Sequence, residues 1–134
     1  IIVAIDGIVE RADRNSKHFL LYLPEGELHE LGLLFYYYLL KKRGHRITYL
    51  GQSVPLEDLY KTVDLINPNY LVTKVYSSMD LKELRLYLEN LSKNLPKLDI
   101  LFDSYIEEIP KLEKRKNLFH VKDVDQFIGI LNVI

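Results

Sequence analysis

The sequence contains no cysteine and no tryptophan, and only one methionine, in 134 residues. The absence of cysteine excludes disulfides, thiolate nucleophiles, cysteine-ligated zinc and iron–sulfur clusters, and it fits a reducing compartment. A formal charge of −1 at pH 7 argues against a domain that grips nucleic acid through bulk positive charge. We therefore expect a cytoplasmic protein that does not bind DNA through this chain alone.

Long apolar runs are also missing. The longest run inside the chain spans residues 31–40, is interrupted by Gly32 and is followed by three basic residues. A membrane helix needs about 20 apolar residues. We therefore expect no membrane-spanning segment and no membrane partner. The chain is long enough for one domain with a full core and too short for two domains of ordinary size.

From residue 18 onward, short β-rich runs alternate with longer helical runs, which is typical of a parallel α/β sheet. The predicted strands are 18–23, 46–50, 70–76, 98–102 and 118–121. The predicted helices are 27–43, 55–66 (with Ser53 as a possible cap), 79–95, 105–114 and 124–131. Because crossovers in such sheets are right-handed, the leading topology is a Rossmann-like (flavodoxin-like) five-stranded sheet of order 2-1-3-4-5 with helices on both faces.

The first 17 residues fall outside this alternation. IIVAIDGIVE looks like the end of a helix, and RADRNSK looks like a polar connector. The opening carries neither a basic leader nor a small-residue cleavage site. We therefore expect residues 1–17 to be the end of a preceding helix plus a linker, residues 18–134 to form the α/β domain, and the chain to be part of a longer protein.

The edge of the sheet where a ligand should bind can be located from the topology. In open parallel sheets, ligands bind beyond the C-terminal ends of the strands, where the strand order reverses. Here the relevant loops are 24–30, 51–55 and 76–80, and Asp103 and Ser104 follow the fourth strand on the same edge.

Only one of the four histidines, His29, falls on this edge. Glu27 lies two residues before it, and Gly32 lies three residues after it. A histidine that binds a metal through one ring nitrogen needs an acceptor for the other, which a carboxylate can supply. A glycine lets a helix start lie close to a strand or a broad planar ligand. The alternative is an ordinary helix N-terminus with helpful acidic residues and a packing glycine. The other histidines are expected to be exposed or satisfied in the core: His18, His45 and His120.

The segments GELHELG (26–32) and YLGQSVPLEDL (49–59) resemble the cobalamin-binding domain of MerR-type transcriptional regulators. The hallmark of that family is an acidic residue, any residue, His, any two residues and Gly, and Glu27, His29 and Gly32 occupy those positions. The resemblance covers about residues 18–134. It implies that His29 coordinates the cobalt of a corrinoid and that Glu27 orients His29. It also implies further contacts to the corrin and its tail: Gly32, Gly51, Ser53, Val54, Tyr76, Ser77, Asp103 and Ser104.

The function that this resemblance implies is sensing rather than catalysis. Ligand occupancy would bias the oligomerisation of a full-length homo-oligomeric regulator and thereby its affinity for DNA. The DNA-binding domain would lie N-terminal to this sequence, and IIVAIDG resembles the tail of the helical bundle that precedes the sensor in such regulators.

Two places depart from the family pattern. Small residues usually end the third strand and line the slot for the nucleotide tail of cobalamin, whereas this chain has Lys74 and Tyr76. A Gly-Gly pair usually follows the fourth strand, whereas this chain has Asp103 and Ser104. Tight pockets do not absorb extra side-chain volume cheaply. We expect Lys74 to pair with Asp103 across the slot and to close it.

Two other functions of proteins with this topology do not fit the same residues. A phosphorelay receiver domain needs an aspartate after the third strand, where this chain has YSS (76–78). A dinucleotide enzyme would carry GxGxxG after the first strand, and the segment PEGELHELG does not contain that motif. Two alternatives stay open. One is a degenerate cobalamin-binding fold that serves as an oligomerisation or interaction module, and the other is a cobalamin-carrying subunit of a methyltransferase or mutase.

Overall fold

The computed structural model describes residues 16–106, 108–112 and 115–134. The strands in these ranges are β1 (His18–Pro24), β2 (Arg46–Val54), β3 (Tyr70–Val75), β4 (Asp99–Ser104) and β5 (Leu118–His120). The helices are α1 (Leu31–Lys42), α2 (Leu56–Ile66), α3 (Leu81–Asn94) and α4 (Val124–Val133). The end of a preceding helix that we predicted at the start of the chain lies outside the described residues. None of the helices in the described ranges has the length and apolar content that a bilayer span requires.

The strands form one parallel sheet in the order β2-β1-β3-β4-β5, which confirms the predicted topology. Strand β1 pairs with β2 on one side and with β3 on the other. The order therefore reverses at β1, and the loops that follow β1 and β3 leave the sheet at the same edge.

Strand β1 fixes this edge because both of its faces are buried. Successive side chains of a strand point to opposite faces. Phe19, Leu21 and Leu23 pack in the apolar layer that contains residues of α1 and α4. Leu20 and Tyr22 pack in the opposite layer, which contains residues of α2 and α3. This two-sided anchoring holds the C-terminal end of β1 in one position.

One predicted helix is wrong. The described residues hold four helices rather than five, because residues 105–106 and 108–112 form turns and irregular backbone instead of a helix. Pro110 has no backbone N–H to continue a helix, and Lys111 has a positive φ of 61°. The Ser104 hydroxyl exchanges hydrogen bonds with the backbone of Ile106, at 3.0 Å to its carbonyl oxygen and 3.3 Å to its nitrogen.

Two predicted boundaries near the C-terminal edge of the sheet also differ from the structure. Helix α1 begins at Leu31 rather than at residue 27, and β2 continues to Val54 rather than ending at residue 50. The extension of β2 is irregular, with shifts of register and positive φ values of 80° at Gly51 and 54° at Ser53. Ser53 is not the helix cap that we predicted, since α2 begins after Pro55 with no side-chain cap.

The lowered pKa values of two histidines in the sheet predict that the fold is less stable in acid. Burial, followed by the charge of Arg46, lowers the pKa of His18, and burial, followed by the charge of Lys122, lowers the pKa of His120. Such a histidine stabilises the fold while neutral, and this contribution is lost as the pH falls below the unfolded value of about 6.5. We expect the thermal unfolding midpoint to be lower near pH 5.5 than near pH 7.5.

The control for this prediction is a variant with both His18→Gln and His120→Gln. Its unfolding midpoint should change less between the two pH values, because it lacks both imidazoles. An equal pH dependence in the variant and the natural chain would show that these histidines do not cause it.

Candidate functional site

The loop that follows β1 is tied to the end of β2 by its backbone. The N–H of Glu27 donates to the carbonyl of Pro24 at 2.9 Å, and the N–H of Ser53 donates to the carbonyl of Glu27 at 3.1 Å. The N–H of Gly26, whose φ is 88°, donates to the Ser53 hydroxyl at 3.1 Å. Glycine adopts this positive φ without steric cost. The loop is therefore held in a defined conformation before it reaches His29.

The carboxylate of Glu27 ties the same loop to the end of β3. The Glu27 side chain is buried, with 1% of its surface exposed. Its Oε1 accepts hydrogen bonds from the N–H of Tyr76 and, at 2.9 Å, from the N–H of Ser77. Its Oε2 accepts a hydrogen bond from the Ser77 hydroxyl at 2.9 Å. The hydrogen bonds that the structure gives this carboxylate thus join two loops, and none of them goes to His29.

The side chain of His29 is exposed and free. In the part of the chain that the structure describes, its imidazole makes no hydrogen bond, ion pair or ring contact. Its neighbours are anchored, because Glu27 is buried and the carboxylate of Glu30 accepts a hydrogen bond from the Tyr49 hydroxyl at 2.9 Å. The chain therefore presents an unengaged imidazole from a fixed backbone.

The space beside Gly32 is filled by the side chain of Lys74. A Cβ atom built at Gly32 would lie 2.4 Å from Lys74 Nζ, closer than real Cβ contacts, and 3.0 Å from Lys74 Cε. Lys74 is mostly buried, with 14% of its side chain exposed. The lysine side chain thus lies directly against the backbone at the start of α1.

Lys74 belongs to a charged and aromatic group that we call the Lys74 cluster, formed by Lys74, Asp103, Tyr36 and Tyr76. Asp103 and Tyr36 are buried, whereas Tyr76 is 38% exposed. Lys74 Nζ lies 3.2 Å from Asp103 Oδ2, which confirms the predicted pair. It also lies 4.9 Å from the ring centre of Tyr36 and 5.1 Å from that of Tyr76. The Tyr36 hydroxyl donates to Asp103 Oδ2 at 3.3 Å. The ammonium group is therefore held by one carboxylate and two aromatic rings.

The two tyrosines of this cluster stay neutral at physiological pH. Burial raises the pKa of Tyr36, and the negative charge of Asp103 and the hydrogen bond to it raise this pKa further. Burial also raises the pKa of Tyr76, again with the nearby Asp103 as the next cause. Both groups therefore remain neutral phenols, and the charges in the cluster are those of the ion pair between Lys74 and Asp103.

Comparison with known proteins identifies the fold. No family model matches the chain. Over 84 residues it is 34% identical to the HTH-type transcriptional repressor CarH from Myxococcus xanthus, a match that covers 63% of this chain and 28% of the repressor.

Three solved structures share the architecture. One is a cobalamin-binding protein from Desulfitobacterium hafniense, with a TM-score of 0.72 and 16% identity, covering 89% of this chain and 59% of that one. The second is the methanol:cobalamin methyltransferase complex MtaBC from Methanosarcina barkeri, with a TM-score of 0.72 and 16% identity; the match covers 95% of this chain and 48% of that one. The third is the monomethylamine corrinoid protein of Methanosarcina barkeri, with a TM-score of 0.66 and 14% identity, covering 87% and 57%.

This domain has the fold of cobalamin-binding proteins. The resemblance of residues 26–32 and 49–59 to the cobalamin-binding domain of MerR-type regulators is confirmed by this fold and by the match to the repressor. The chain spans less than two thirds of each of these proteins.

The remaining predicted residues of this cobalamin-binding fold lie at the same edge but differ in accessibility. Gly51 is buried, and a Cβ atom there would lie 3.2 Å from the carboxylate of Glu30. Val54 is buried at the end of β2, whereas Ser53 is exposed. Ser104 is buried, and its hydroxyl donates to the carbonyl of Ile106. None of the hydrogen bonds described for this hydroxyl goes to the loop that carries His29.

Sequence analysis missed two residues of this edge. Tyr36 belongs to the Lys74 cluster, and Glu30, the residue next to His29, is anchored by the hydrogen bond from the Tyr49 hydroxyl. A signal for Tyr36 was present, because residues four apart share one face of a helix and Tyr36 follows Gly32 by four. Among the described residues, no group of three or more His, Asp or Glu side chains is arranged to hold a metal ion.

Proposed function

We propose that this domain binds a corrinoid of the cobalamin type through His29 and is the ligand-sensing part of a MerR-type transcriptional regulator. The observation that carries the proposal is the exposed, unengaged imidazole at the C-terminal edge of β1, presented by a loop that is anchored on both sides. The match to a transcriptional repressor and the cobalamin-binding fold support it.

Each residue of the loop has a distinct role in this proposal. His29 offers a ring nitrogen as an axial ligand, and the corrinoid supplies a cobalt ion that accepts it. Glu27 is a positioning residue, because its buried carboxylate fixes the loop that carries His29 to the loop after β3. This role differs from the direct orientation of the imidazole that the resemblance implied.

The residues fit a corrinoid at one place and resist it at another. The imidazole of His29 is free to coordinate. Beside Gly32, Lys74 fills the space that small residues leave open in the family that the sequence resembles. A bulky group could enter there only if the lysine side chain moved away.

Visible absorption spectroscopy tests the role of His29. The purified protein is titrated with adenosylcobalamin and, separately, with adenosylcobinamide, which lacks the nucleotide tail. A spectral change should accompany binding of at least one of them. His29→Ala should weaken binding by at least the roughly 10–100-fold that loss of a second-shell metal partner costs.

The control is His18→Gln, since His18 lies at the opposite end of β1 and its Nε2 is hydrogen-bonded to the Thr48 hydroxyl at 2.8 Å. This variant should bind corrinoid as the natural chain does. The proposal fails if neither corrinoid changes the spectrum, or if His29→Ala binds as tightly as the natural chain.

The sensor role is tested on the full-length protein. We propose that it is a cytoplasmic, non-enzymatic homo-oligomer that contacts DNA through a domain outside this sequence. Corrinoid should change its oligomeric state in size-exclusion chromatography and its affinity for operator DNA in a gel-shift assay. If corrinoid binds but changes neither, the carrier-subunit alternative replaces the sensor.

A further inference from the structure

The space beside Gly32 is filled by the end of the Lys74 side chain. We infer that the Lys74 cluster closes this space, so that the site binds corrinoids without a nucleotide tail in preference to complete cobalamins. The inference rests on the proposed function and adds to it the class of corrinoid that is selected.

The Lys74 side chain closes the space sterically. Lys74 Nζ, Cε and Cδ would lie 2.4, 3.0 and 3.4 Å from a Cβ atom at Gly32, so the gap has no room even for a methyl group. A benzimidazole is far larger than a methyl group, and tight pockets do not absorb extra volume cheaply. A nucleotide tail could therefore enter only after the whole end of the lysine side chain had left.

The ion pair between Lys74 and Asp103 also opposes opening of the space. Asp103 is buried, with 3% of its surface exposed, and Lys74 is its ion-pair partner at 3.2 Å. If the lysine moved to solvent, the carboxylate would keep the Tyr36 hydroxyl but lose its counter-ion. Removing one partner of a buried pair is strongly unfavourable, because it leaves an uncompensated charge in a poorly solvated place. Opening the space thus opposes the binding of a tail, whereas a tailless corrinoid needs no such opening.

Two aromatic rings further hold the lysine side chain in the closed position. The ammonium group lies within 6 Å of the ring centres of both Tyr36 and Tyr76, the range in which cations are attracted to aromatic faces. Tyr36 is itself buried and packs on Phe127 with a ring-centre distance of 4.2 Å. One wall of the cluster is therefore part of the core and cannot yield without disturbing α4.

The experiment compares two corrinoids that carry the same upper ligand. Dissociation constants of adenosylcobinamide and adenosylcobalamin are measured in the dark by visible spectroscopy and, independently, by equilibrium dialysis. The natural chain should bind adenosylcobinamide at least about tenfold more tightly, which corresponds to about 1.4 kcal/mol.

Two paired variants separate filled space from charge. Lys74→Ser with Asp103→Ser opens the space without leaving a single charge, and it should reduce the preference and strengthen binding of adenosylcobalamin. Lys74→Met with Asp103→Leu keeps the space filled without charge, so it should still prefer adenosylcobinamide, but by less than the natural chain, because the ion pair no longer opposes opening. Circular dichroism establishes that each variant is folded. If the opened variant does not fold, the natural chain and the filled variant still decide, because both must prefer adenosylcobinamide.

The outcomes distinguish this inference from the proposed function. Equal affinities, or tighter binding of adenosylcobalamin by the natural chain, overturn the selection while leaving His29-dependent corrinoid binding intact. An opened variant that folds but keeps the full preference also overturns it. If the natural chain binds neither corrinoid, the proposed function itself fails, and the inference fails with it.

Discussion

Replacement of Lys74 by alanine is expected to destabilise the fold by about 3–5 kcal/mol, the cost of breaking a buried ion pair by removing one partner. Asp103 is buried and would retain the Tyr36 hydroxyl as a hydrogen-bond partner but no counter-ion. The measurement is urea unfolding, in which the midpoint should fall while the dependence on denaturant stays the same.

The chain offers a matched control for this prediction. Lys61 and Glu57 form an ion pair at a similar distance, 3.3 Å, on helix α2, but their side chains are 69% and 79% exposed. Lys61→Ala should cost no more than about 0.5 kcal/mol, because solvent screens such a pair. If Lys74→Ala costs as little as Lys61→Ala, Asp103 is solvated or neutralised after the lysine is removed, and the cluster does not hold the space closed.

A double variant identifies the source of the cost. Lys74→Ala with Asp103→Ala should be less destabilising than the sum of the two single changes, because no unpaired charge remains. If the two costs simply add, packing volume rather than charge accounts for the stability of the cluster.

The sheet could be predicted from the sequence because its information is local. Each strand is a short apolar run, each helix has its own periodicity, and the handedness rule then restricts the strand order. Asp80 illustrates how local signals define an element: its side chain and that of Glu83 form a capping box at the start of α3, within one turn of chain.

The one predicted helix that fails shows the limit of local patterns. Residues 105–114 have helical spacing interrupted by Pro110, and the structure gives Lys111 a left-handed backbone. The Ser104 hydroxyl also competes for the backbone of Ile106, as short polar side chains do in turns. Helix propensities and spacing do not include such hydrogen bonds between side chain and backbone, which compete with the helix.

The candidate site was predictable in its residue types but not in its connections. Lys74 and Asp103 stood out because they are large and charged where small residues are expected. They are opposite each other on the paired strands β3 and β4, so their side chains can form an ion pair directly. The partners of Glu27 could not be foreseen in the same way. They lie 49 and 50 residues away, in a loop whose sequence, YSS, carries no signal for binding a carboxylate.

Removal of this carboxylate is the second large effect that we expect. Glu27→Ala should destabilise the fold by about 2–4 kcal/mol, because hydrogen bonds to a charged group contribute about 1.5–3 kcal/mol each and the exposed loop can recover part of the loss through water. The N–H groups of Tyr76 and Ser77 would lose their acceptor. Urea unfolding measures the cost, and hydrogen exchange should accelerate at the amides of Tyr76 and Ser77.

The comparison with Glu27→Gln separates positioning from stability. Glutamine keeps one carbonyl oxygen for the backbone N–H groups, so it should recover much of the stability that alanine loses. If Glu27 positions His29 by holding the two loops together, Glu27→Ala should also weaken corrinoid binding under conditions where the variant is fully folded, and Glu27→Gln should weaken it less. Unchanged corrinoid affinity in folded Glu27→Ala would mean that the backbone hydrogen bonds of residue 27, to the Pro24 carbonyl and from the Ser53 N–H, suffice to present the imidazole. In that case the carboxylate stabilises the sheet edge without contributing to the ligand site.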